Sequence, residues 1–188
     1  MKLLFLDTET TGLSADRHEI IEYAAILYEN DQEVLRVEQK VKPLHISTAH
    51  PKALQINGYS PEKWTGAITQ EQAAKELSEL LMIEDVIMVG HNPRFDLRFI
   101  KKLLLKYYPD QEVKIGLIDT KSLALSALAP IGLKSSSMDN IRLFLGWDFA
   151  GSHTALKDTE DVIKLFYLCR KEIATESWKN KMDLIEYT

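Results

Sequence analysis

The segment Lys2-Leu3-Leu4-Phe5-Leu6-Asp7-Thr8-Glu9-Thr10-Thr11-Gly12-Leu13 joins a short apolar run to a pair of acids near the start of the chain. Four consecutive apolar residues that end at an acid are typical of a strand buried on both faces of a sheet. Side chains two positions apart on a strand share a face, so we expect Asp7 and Glu9 to lie side by side. The segment therefore predicts a buried strand whose end presents carboxylates.

The residues that follow predict two more strands paired as hairpins. A second apolar run covers residues 20–28, and Asn30 and Asp31 supply the chemistry of a tight turn. Residues 33–41 then alternate between apolar and polar, as a half-exposed strand does. The opening third is thus predicted to be an antiparallel meander.

Beyond this point the pattern changes to helices that alternate with buried strands. Thr69 followed by Gln72 is a capping-box pattern for a helix that runs to about residue 82. Further strands are predicted at 86–89 and 115–118, and further helices at 93–107, 120–128, 138–145 and 154–173. Hairpins followed by alternating helices and strands indicate an α/β fold, with a mixed sheet flanked by helices.

The composition limits the ways in which this chain could bind nucleic acid. Its 28 acidic and 23 basic residues give a formal charge of -5, which excludes binding through a broad basic surface. Any nucleic acid partner must therefore be held locally. With 188 residues and 45% hydrophobic content, we expect one globular domain over residues 1–174. Residues 175–188 have mixed charge and little periodicity, and are predicted to be a tail, a docking segment or a short helix.

The single cysteine and the amino terminus both point to a reduced intracellular setting. Cys169 has no second cysteine with which to form an intramolecular disulfide. The apolar stretch before Asp7 is too short for a signal peptide or a membrane span. We therefore expect no membrane partner and a soluble protein that is cytoplasmic, or nuclear if the cell has a nucleus.

The acids at the end of the first strand are the first candidate site. Two adjacent carboxylates destabilise each other unless a cation lies between them, and hard oxygen ligands suit magnesium or manganese. The alternative is a solvated strand end on which Asp7 and Glu9 have no common role.

A second candidate site lies where a buried strand leads into a helix, within His91-Asn92-Pro93-Arg94-Phe95-Asp96. Ligands collect at such strand ends in α/β sheets. Asp96 is four residues before Ile100, on the inward stripe of the helix, where an acid is costly unless it is paired or metal-bound. The alternative is that Asp96 only complements the helix dipole.

The third candidate site begins the last long helix. Asp158 heads a buried stripe that continues through Val162, Leu165 and Cys169. His153 lies five residues before Asp158, so it belongs on the preceding loop, where it can lean over the site. A histidine near a helix start can also have a purely structural role.

Together these sites supply four acids and one histidine in a single domain. Hydrolysis of phosphodiesters with two metal ions needs carboxylates for the ions and a base that titrates near neutral pH. The metals, rather than lysines, would then hold the phosphate. We accordingly expect weak binding of nucleic acid when no metal is present.

Three ordered motifs, Asp-Thr-Glu-Thr-Thr-Gly-Leu, His-Asn-x-x-Phe-Asp and His-x-Ala-x-x-Asp, resemble those of the DnaQ-like, DEDDh 3′-to-5′ exonucleases. That family includes polymerase proofreading subunits, RNase T and oligoribonuclease. The resemblance spans about residues 3–168. It implies an RNase H-like fold, with a five-stranded mixed sheet flanked by helices.

By this resemblance, the matched acids would bind two divalent ions, Mg or Mn. Asp7 would bridge the two ions, and Glu9 and Asp158 would complete the more tightly held one. Asp96 would act partly through water. His153 would be the general base that deprotonates the attacking water.

The resemblance also implies a pocket for the terminal nucleotide. The backbone of Thr10 and Thr11 would lie near the 3′ end, with Leu13 against the base. Proofreading subunits carry a His-Gly pair where this chain has Asn57 and Gly58, so Asn57 is predicted to replace that histidine. The other residues assigned to the pocket are Asn92 and Phe95.

The resulting prediction is a metal-dependent exonuclease that removes nucleoside 5′-monophosphates from single-stranded 3′ ends, with DNA the favoured substrate. One alternative is an RNA-directed exonuclease of the same family. Another is a catalytically idle module that docks on a polymerase or helicase. A polymerase or another replication or repair protein is the expected partner if there is one.

Overall fold

The first predicted strand is the centre of a five-stranded sheet in the computed structural model, which describes residues 1–173. The sheet order is β3-β2-β1-β4-β5. β2 pairs antiparallel with β1 and β3, whereas β4 pairs parallel with β1 and β5. The strands are β1 (Lys2–Thr10), β2 (Ile20–Glu29), β3 (Gln32–Lys40), β4 (Val86–Gly90) and β5 (Gly116–Asp119). The predicted meander followed by parallel strands is therefore confirmed.

Six α-helices surround the sheet within the described residues. They are α1 (Pro51–Ile56), α2 (Gln70–Leu81), α3 (Pro93–Tyr107), α4 (Thr120–Leu128), α5 (Met138–Leu145) and α6 (Ala155–Ile173). The predicted capping box is present, because Thr69 accepts from the Gln72 backbone and the Gln72 side chain accepts from the Thr69 backbone. The short helix α1 was not predicted.

β1 continues beyond its apolar run and carries the predicted acids within the sheet. Leu4 and Leu6 belong to the core that α2 and α3 cover, whereas Leu3 and Phe5 pack with residues of α6. Since side chains alternate along a strand, Asp7 and Glu9 continue the face covered by α6, and Thr8 continues the face covered by α3. The end of β1 can therefore organise groups from both faces of the sheet.

The ring of Phe5 shows how α6 is fixed against the sheet. It packs edge-on against Phe166 of α6 and against Tyr28 of β2, with ring centroids 5.5 and 5.4 Å apart. Burying one such aromatic side chain contributes roughly 1.5–3 kcal/mol, and edge-to-face pairs add about 0.5–1.5 kcal/mol. This packing holds the middle of α6 against β1.

Residues 175–188, predicted to be a tail or short helix, lie outside the described residues, so the proposed limit of the globular domain at residue 174 stays a prediction. Among the described residues, none of the helices combines the length and apolar character that crossing a membrane requires.

Candidate active site

Three carboxylates meet beside the end of β1. One oxygen each of Asp7, Glu9 and Asp158 lies within 4.8 Å of the other two. Asp7 and Glu9 come from one face of β1, and Asp158 comes from the first turn of α6, which covers that face. The packing of α6 on β1 thus brings together acids from the first and third sequence motifs.

Burial and mutual repulsion both favour protonation of these acids. Burial first, and then the charges of Asp96 and Asp158, raise the pKa of Asp7 well above its usual value. Burial, followed by the charges of Asp158 and Glu22, raises the pKa of Glu9 to about 8. Without a compensating positive charge, Glu9 therefore tends to keep its proton at neutral pH, and the charged form of Asp7 is disfavoured.

The chemistry of this cluster fits a divalent cation. Its three candidate ligands are carboxylates, whose hard oxygen atoms are the kind that magnesium and manganese prefer. A cation among them would offset the repulsion that raises the pKa values of Asp7 and Glu9. The acidic cluster could therefore bind metal.

Asp96 borders this cluster from the other face of β1. It lies in the first turn of α3 and is only 4% exposed, as its place on the inward stripe predicted. Its Oδ1 accepts hydrogen bonds from the backbone N–H of Thr8, at 3.0 Å, and from the Thr8 hydroxyl, at 2.7 Å. Burial raises the pKa of Asp96 to about 7, although the bonds from Thr8 lower it. Asp96 is near enough to Asp7 to raise its pKa, but it is not one of the three clustered acids.

His153 lies on the loop before α6, where the sequence placed it. Its backbone is left-handed, with φ of +66°, which is uncommon for a residue other than glycine. Its backbone N–H donates to Oδ1 of Asp158 at 3.3 Å. The histidine therefore contacts the acid cluster through its backbone N–H, and its imidazole ring takes no part in that hydrogen bond.

A cavity of about 250 Å³ lies beside the acids, and Asp7, Asp158 and His153 are among its lining residues. The other lining residues are His91, Ser137, Met138, Asp139, Arg142 and Val162. A larger cavity of about 820 Å³, lined in part by residues 15–20 and α3, contains none of the predicted catalytic residues. The smaller cavity is therefore the candidate active site.

The turn after β1 buries two threonines and exposes one leucine. Thr10 and Thr11 are buried: the Thr10 hydroxyl donates to the carbonyl of Gly12 at 2.7 Å, and the Thr11 hydroxyl accepts from the backbone of Glu19 at 2.9 Å. Leu13, in contrast, is 83% exposed. Both threonine side chains thus stabilise the turn, and Leu13 extends into solvent.

Asn57 supports this turn from inside the protein. It is 7% exposed, and its side-chain amide donates to the carbonyl oxygen of Thr10 at 3.1 Å. Its side chain is thus already engaged by the turn predicted to hold the nucleotide. The contact of Asn57 with a nucleotide remains a prediction.

Asn92 and Phe95 lie at the start of α3. Asn92 is exposed, has a φ of +71° and donates its backbone N–H to Asp119 at 2.9 Å. The half-buried ring of Phe95 lies 5.0 Å from that of Phe99, and the Arg98 guanidinium lies 5.8 Å from the Phe95 ring. Both predicted residues therefore lie at the helix start that carries Asp96.

Sequence reasoning missed Glu22, a buried acid close to the cluster. Glu22 lies opposite Glu9 in the β1–β2 register and is 2% exposed. Its Oε1 accepts the backbone N–H of Ala155, the first residue of α6, at 2.9 Å. It thereby fixes the start of α6. A single carboxylate within the apolar run of residues 20–28 was the signal that could have revealed it.

Sequence reasoning also missed Arg142, which lines the cavity and contacts Asp158. Burial lowers the pKa of its guanidinium, but the charges and hydrogen bonds of Asp158 and Asp161 outweigh burial and raise it. Arg142 therefore stays charged beside the acid cluster. The sequence signal that could have indicated this cation is the pair Asp158 and Asp161. These two acids are three residues apart, so they are neighbours on the surface of α6.

Comparison with known proteins identifies relatives among nucleases and polymerases. The exonuclease family model named RNase T matches residues 4–166. The PolC-type DNA polymerase III of Thermotoga maritima is 34% identical over an alignment of length 190, and the match covers 97% of this chain and 13% of the polymerase. Ribonuclease T of Vibrio vulnificus is 28% identical over an alignment of length 185, and the match covers 86% of this chain and 80% of that protein.

The fold is also similar to that of E. coli exonuclease I, solved in complex with a dT13 oligonucleotide. The TM-score is 0.79 at 19% identity, and the match covers 92% of this chain and 41% of exonuclease I. The chain thus spans less than half of exonuclease I and a small fraction of the polymerase. Because the family match runs from β1 into α6 and includes the four acids and His153, the chain belongs to the RNase T family of exonucleases, within the DnaQ-like 3′-to-5′ group.

Proposed function

We propose that this chain is a metal-dependent exonuclease that removes nucleoside 5′-monophosphates from single-stranded 3′ ends, with DNA as the preferred substrate. The observation that carries the proposal is the carboxylate cluster of Asp7, Glu9 and Asp158, two of whose members, Asp7 and Asp158, line a cavity together with His153. Such a cluster beside a histidine combines groups that bind cations with a group that accepts protons near neutral pH.

The proposed cofactor is a pair of divalent cations, Mg or Mn. Asp7, Glu9 and Asp158 would hold one ion, and Asp7 with Asp96 would hold the other, because Asp96 borders Asp7 from the opposite face of β1. When bound, such ions stabilise charge on phosphate oxygens and make water more acidic.

His153 is the proposed general base. Its imidazole would take a proton from the water that attacks the terminal phosphorus. The bond between phosphorus and O3′ of the penultimate nucleotide then breaks, and this O3′ takes up a proton from solvent. The products are a nucleoside 5′-monophosphate and a strand one nucleotide shorter with a free 3′-hydroxyl. Proton transfer of this kind contributes about 10²–10⁴-fold to the rate.

The turn at residues 10–13 is proposed to hold the terminal nucleotide. The exposed Leu13 side chain offers an apolar surface for a base, next to a turn whose buried threonines keep its shape. Apolar contact with a base face is tolerant of sequence. This arrangement suits an enzyme that removes any nucleotide.

The exposed face of α3 is proposed to contact the phosphates of the remaining strand. This cationic face consists of Arg94, Arg98, Lys101, Lys102 and Lys106, all of them exposed. Among the described residues, only Lys102 of these five has a carboxylate partner, Asp16 at 3.5 Å. The face begins at the same end of α3 as Asp96, on the opposite side of the helix, and extends for about 18 Å along it. It is a local cationic surface on a chain whose net charge is -5.

The relatives support both DNA and RNA as substrates. The PolC-type polymerase is the more similar in sequence, which favours DNA and a role beside a polymerase. Ribonuclease T is a ribonuclease by name, and this chain covers 80% of its length, so this relative favours RNA. An RNA-directed exonuclease is therefore the second candidate function.

The deciding experiment uses 5′-labelled DNA and RNA oligonucleotides of the same sequence, together with duplex DNA that has a recessed 3′ end. Each is incubated with Mg²⁺, with Mn²⁺ or with a chelator. We expect stepwise shortening of single-stranded DNA that requires a metal ion, with slower shortening of RNA. Asp7→Asn is the control and should be inactive. Absence of shortening under all conditions, or full activity of Asp7→Asn, would contradict the proposal.

A further inference from the structure

Arg142, on α5, is a fully buried arginine that contacts three carboxylates. It is 0% exposed. Its Nη2 donates to Oδ1 of Asp158, its Nε donates to Oδ2 of Asp161 at 2.9 Å, and its Nη1 donates to Oδ1 of Asp139 at 3.0 Å. A guanidinium is planar and its donors have a fixed geometry, so three contacts define its orientation.

Asp161 anchors this guanidinium independently of the acid cluster. Asp161 is fully buried on α6, and its other oxygen, Oδ1, accepts from Lys157 at 2.7 Å and from Lys164 at 3.3 Å. Asp161 therefore keeps two cationic partners when Arg142 is removed. This matters for testing, because a variant at position 142 does not leave Asp161 buried without a partner.

The two oxygens of Asp158 have different surroundings. Oδ1 accepts from Arg142 and, at 3.3 Å, from the backbone N–H of His153. Oδ2 has no hydrogen-bond donor among the residues that the structure describes. Arg142 thus contacts one oxygen of Asp158 and leaves the other available to a ligand. The same Oδ1 also connects Arg142 to the loop that carries His153.

We propose that Arg142 is a positioning residue that holds Oδ1 of Asp158, so that Oδ2 is presented to a divalent cation shared with Asp7 and Glu9. Through the same oxygen it fixes the backbone of His153. The inference rests on the proposed function in one respect, namely that the carboxylate cluster binds a cation. It adds a residue that acts on the cation through Asp158. Residues that orient metal ligands in this way typically change metal affinity about 10–100-fold when they are substituted.

The test is direct titration of Mn²⁺ by calorimetry in the absence of nucleic acid. Arg142→Met removes the guanidinium and keeps an apolar side chain of similar length. Arg142→Lys keeps the positive charge but loses the planar set of donors. Arg170→Met is the matched control, since Arg170 also pairs with an acid, Asp31 at 2.7 Å, but lies twelve residues beyond Asp158 along α6. We expect the Mn²⁺ dissociation constant to increase at least about tenfold for Arg142→Met and severalfold for Arg142→Lys.

The control should stay within about twofold of the wild-type dissociation constant. If Arg142→Met does not fold, a folded Arg142→Lys decides the matter alone. A purely structural role for Arg142 would lower the melting temperature without changing Mn²⁺ affinity.

The outcome can be separated from that of the proposed function, because the titration needs no substrate. A wild-type chain that binds Mn²⁺ but shortens no oligonucleotide contradicts the proposed function. The role of Arg142 is then still decided by the ratio of the Mn²⁺ dissociation constants of the variant and the wild type. The inference about Arg142 is overturned if a folded variant at position 142 binds Mn²⁺ as tightly as the wild type, or if the wild type binds no Mn²⁺.

Discussion

Thr8 donates two hydrogen bonds to the same oxygen of Asp96, from its backbone N–H at 3.0 Å and from its hydroxyl at 2.7 Å. The two residues are 88 positions apart in the sequence. Thr8 lies between Asp7 and Glu9 on β1, but it faces α3, whereas its neighbours face α6. One strand end therefore gathers acids from both sides of the sheet: Asp96 through Thr8, and Asp158 through the packing of α6.

This contact predicts a pH-dependent effect of substituting Thr8. Thr8→Val removes the hydroxyl and keeps the shape of the side chain, so Oδ1 of Asp96 loses one of the two donors that Thr8 supplies. The hydrogen bond from the Thr8 hydroxyl lowers the pKa of Asp96, which burial raises to about 7, so the loss of this bond must raise the pKa further. Protons then compete with metal ions up to a higher pH. We expect Mn²⁺ affinity to fall at neutral pH and to recover as the pH is raised, as measured by calorimetry.

Thr8→Ser keeps the hydroxyl and should follow the wild type at every pH. An equal loss of affinity in Thr8→Val at all pH values would show that the hydroxyl does not act through the proton of Asp96.

Glu9 makes the stability of the metal-free protein depend on pH. Its pKa is about 8 in the folded protein, mainly because of burial, compared with 4.5 for an ordinary glutamate. Between these values the folded chain holds a proton that the unfolded chain has released. The contribution of this proton to stability is therefore complete below about pH 4.5 and is lost as the pH rises to about 8.

Glu9→Gln carries no such proton and should not lose stability in this way. In the presence of a chelator, we expect its free energy of unfolding to exceed that of the wild type increasingly, by up to about 1.4 kcal/mol for each pH unit between about 5 and 7.5. Denaturant titrations of both proteins at several pH values measure this difference. A difference that does not change with pH would contradict the raised pKa of Glu9.

Substitution of His153 should separate proton transfer from metal binding. His153 contacts Asp158 through its backbone N–H, which any replacement except proline keeps. Asparagine tolerates the left-handed backbone at this position better than alanine does, so His153→Asn is the cleaner variant. We expect its turnover to fall about 10²–10⁴-fold, with Mn²⁺ affinity close to that of the wild type.

Asp158→Asn is the comparison for His153→Asn, since it should weaken Mn²⁺ binding as well as turnover. If His153→Asn loses as much Mn²⁺ affinity as Asp158→Asn does, the histidine belongs to the metal site and is not the base.

The features predicted correctly from the sequence are those that depend on local periodicity. The alternation of side chains along β1 places Asp7 beside Glu9 before any tertiary structure is considered. The inward stripe of α3 likewise indicates that Asp96 is buried, and the structure confirms this. In each case one element carries both the pattern and the acid.

The features that were missed depend on contacts between elements that are distant in sequence. Arg142 is buried only because Asp158 and Asp161 approach it from α6, and an arginine in a short amphipathic helix is usually exposed. The helix α1 has six residues and follows a cap at His50, too short for a periodic pattern. Asn57, predicted to meet a nucleotide, also donates a hydrogen bond to the Thr10 carbonyl, a contact that the motif alone does not reveal.

Gly12 offers a test of the turn proposed to bind the terminal nucleotide. A Cβ atom at this position would lie 2.6 Å from Cε1 and Nε2 of His18. The His18 ring is itself held by a hydrogen bond from the Ser14 backbone at 3.0 Å. Gly12→Ala must therefore displace the turn or the ring. We expect the KM for oligonucleotides to rise on the order of tenfold, with Mn²⁺ affinity unchanged because the acids of β1 precede the turn.

Gly66→Ala is the matched control, because a Cβ at Gly66 meets no atom within 4 Å. An unchanged KM in Gly12→Ala, measured from initial rates, would indicate that the turn does not contact the nucleotide.

The cationic face of α3 predicts how binding of nucleic acid depends on salt. Each lysine or arginine that neutralises a phosphate releases counterions, so the binding constant falls as the salt concentration rises. For single strands, each such contact adds about 0.7 to the steepness of the slope of log K against log salt concentration. We expect the combined change Arg94→Gln, Arg98→Gln and Lys101→Gln to weaken binding of single-stranded DNA and to reduce the slope by about 2.

The measurement is fluorescence anisotropy of a labelled oligonucleotide with Mn²⁺ present, in the His153→Asn background to prevent hydrolysis. Lys75→Gln with Lys114→Gln, at exposed positions that pair with Glu79 and Glu112, should leave the slope unchanged. If the α3 variant also keeps the wild-type slope, the phosphates are held at the carboxylate site and not by the exposed face of α3.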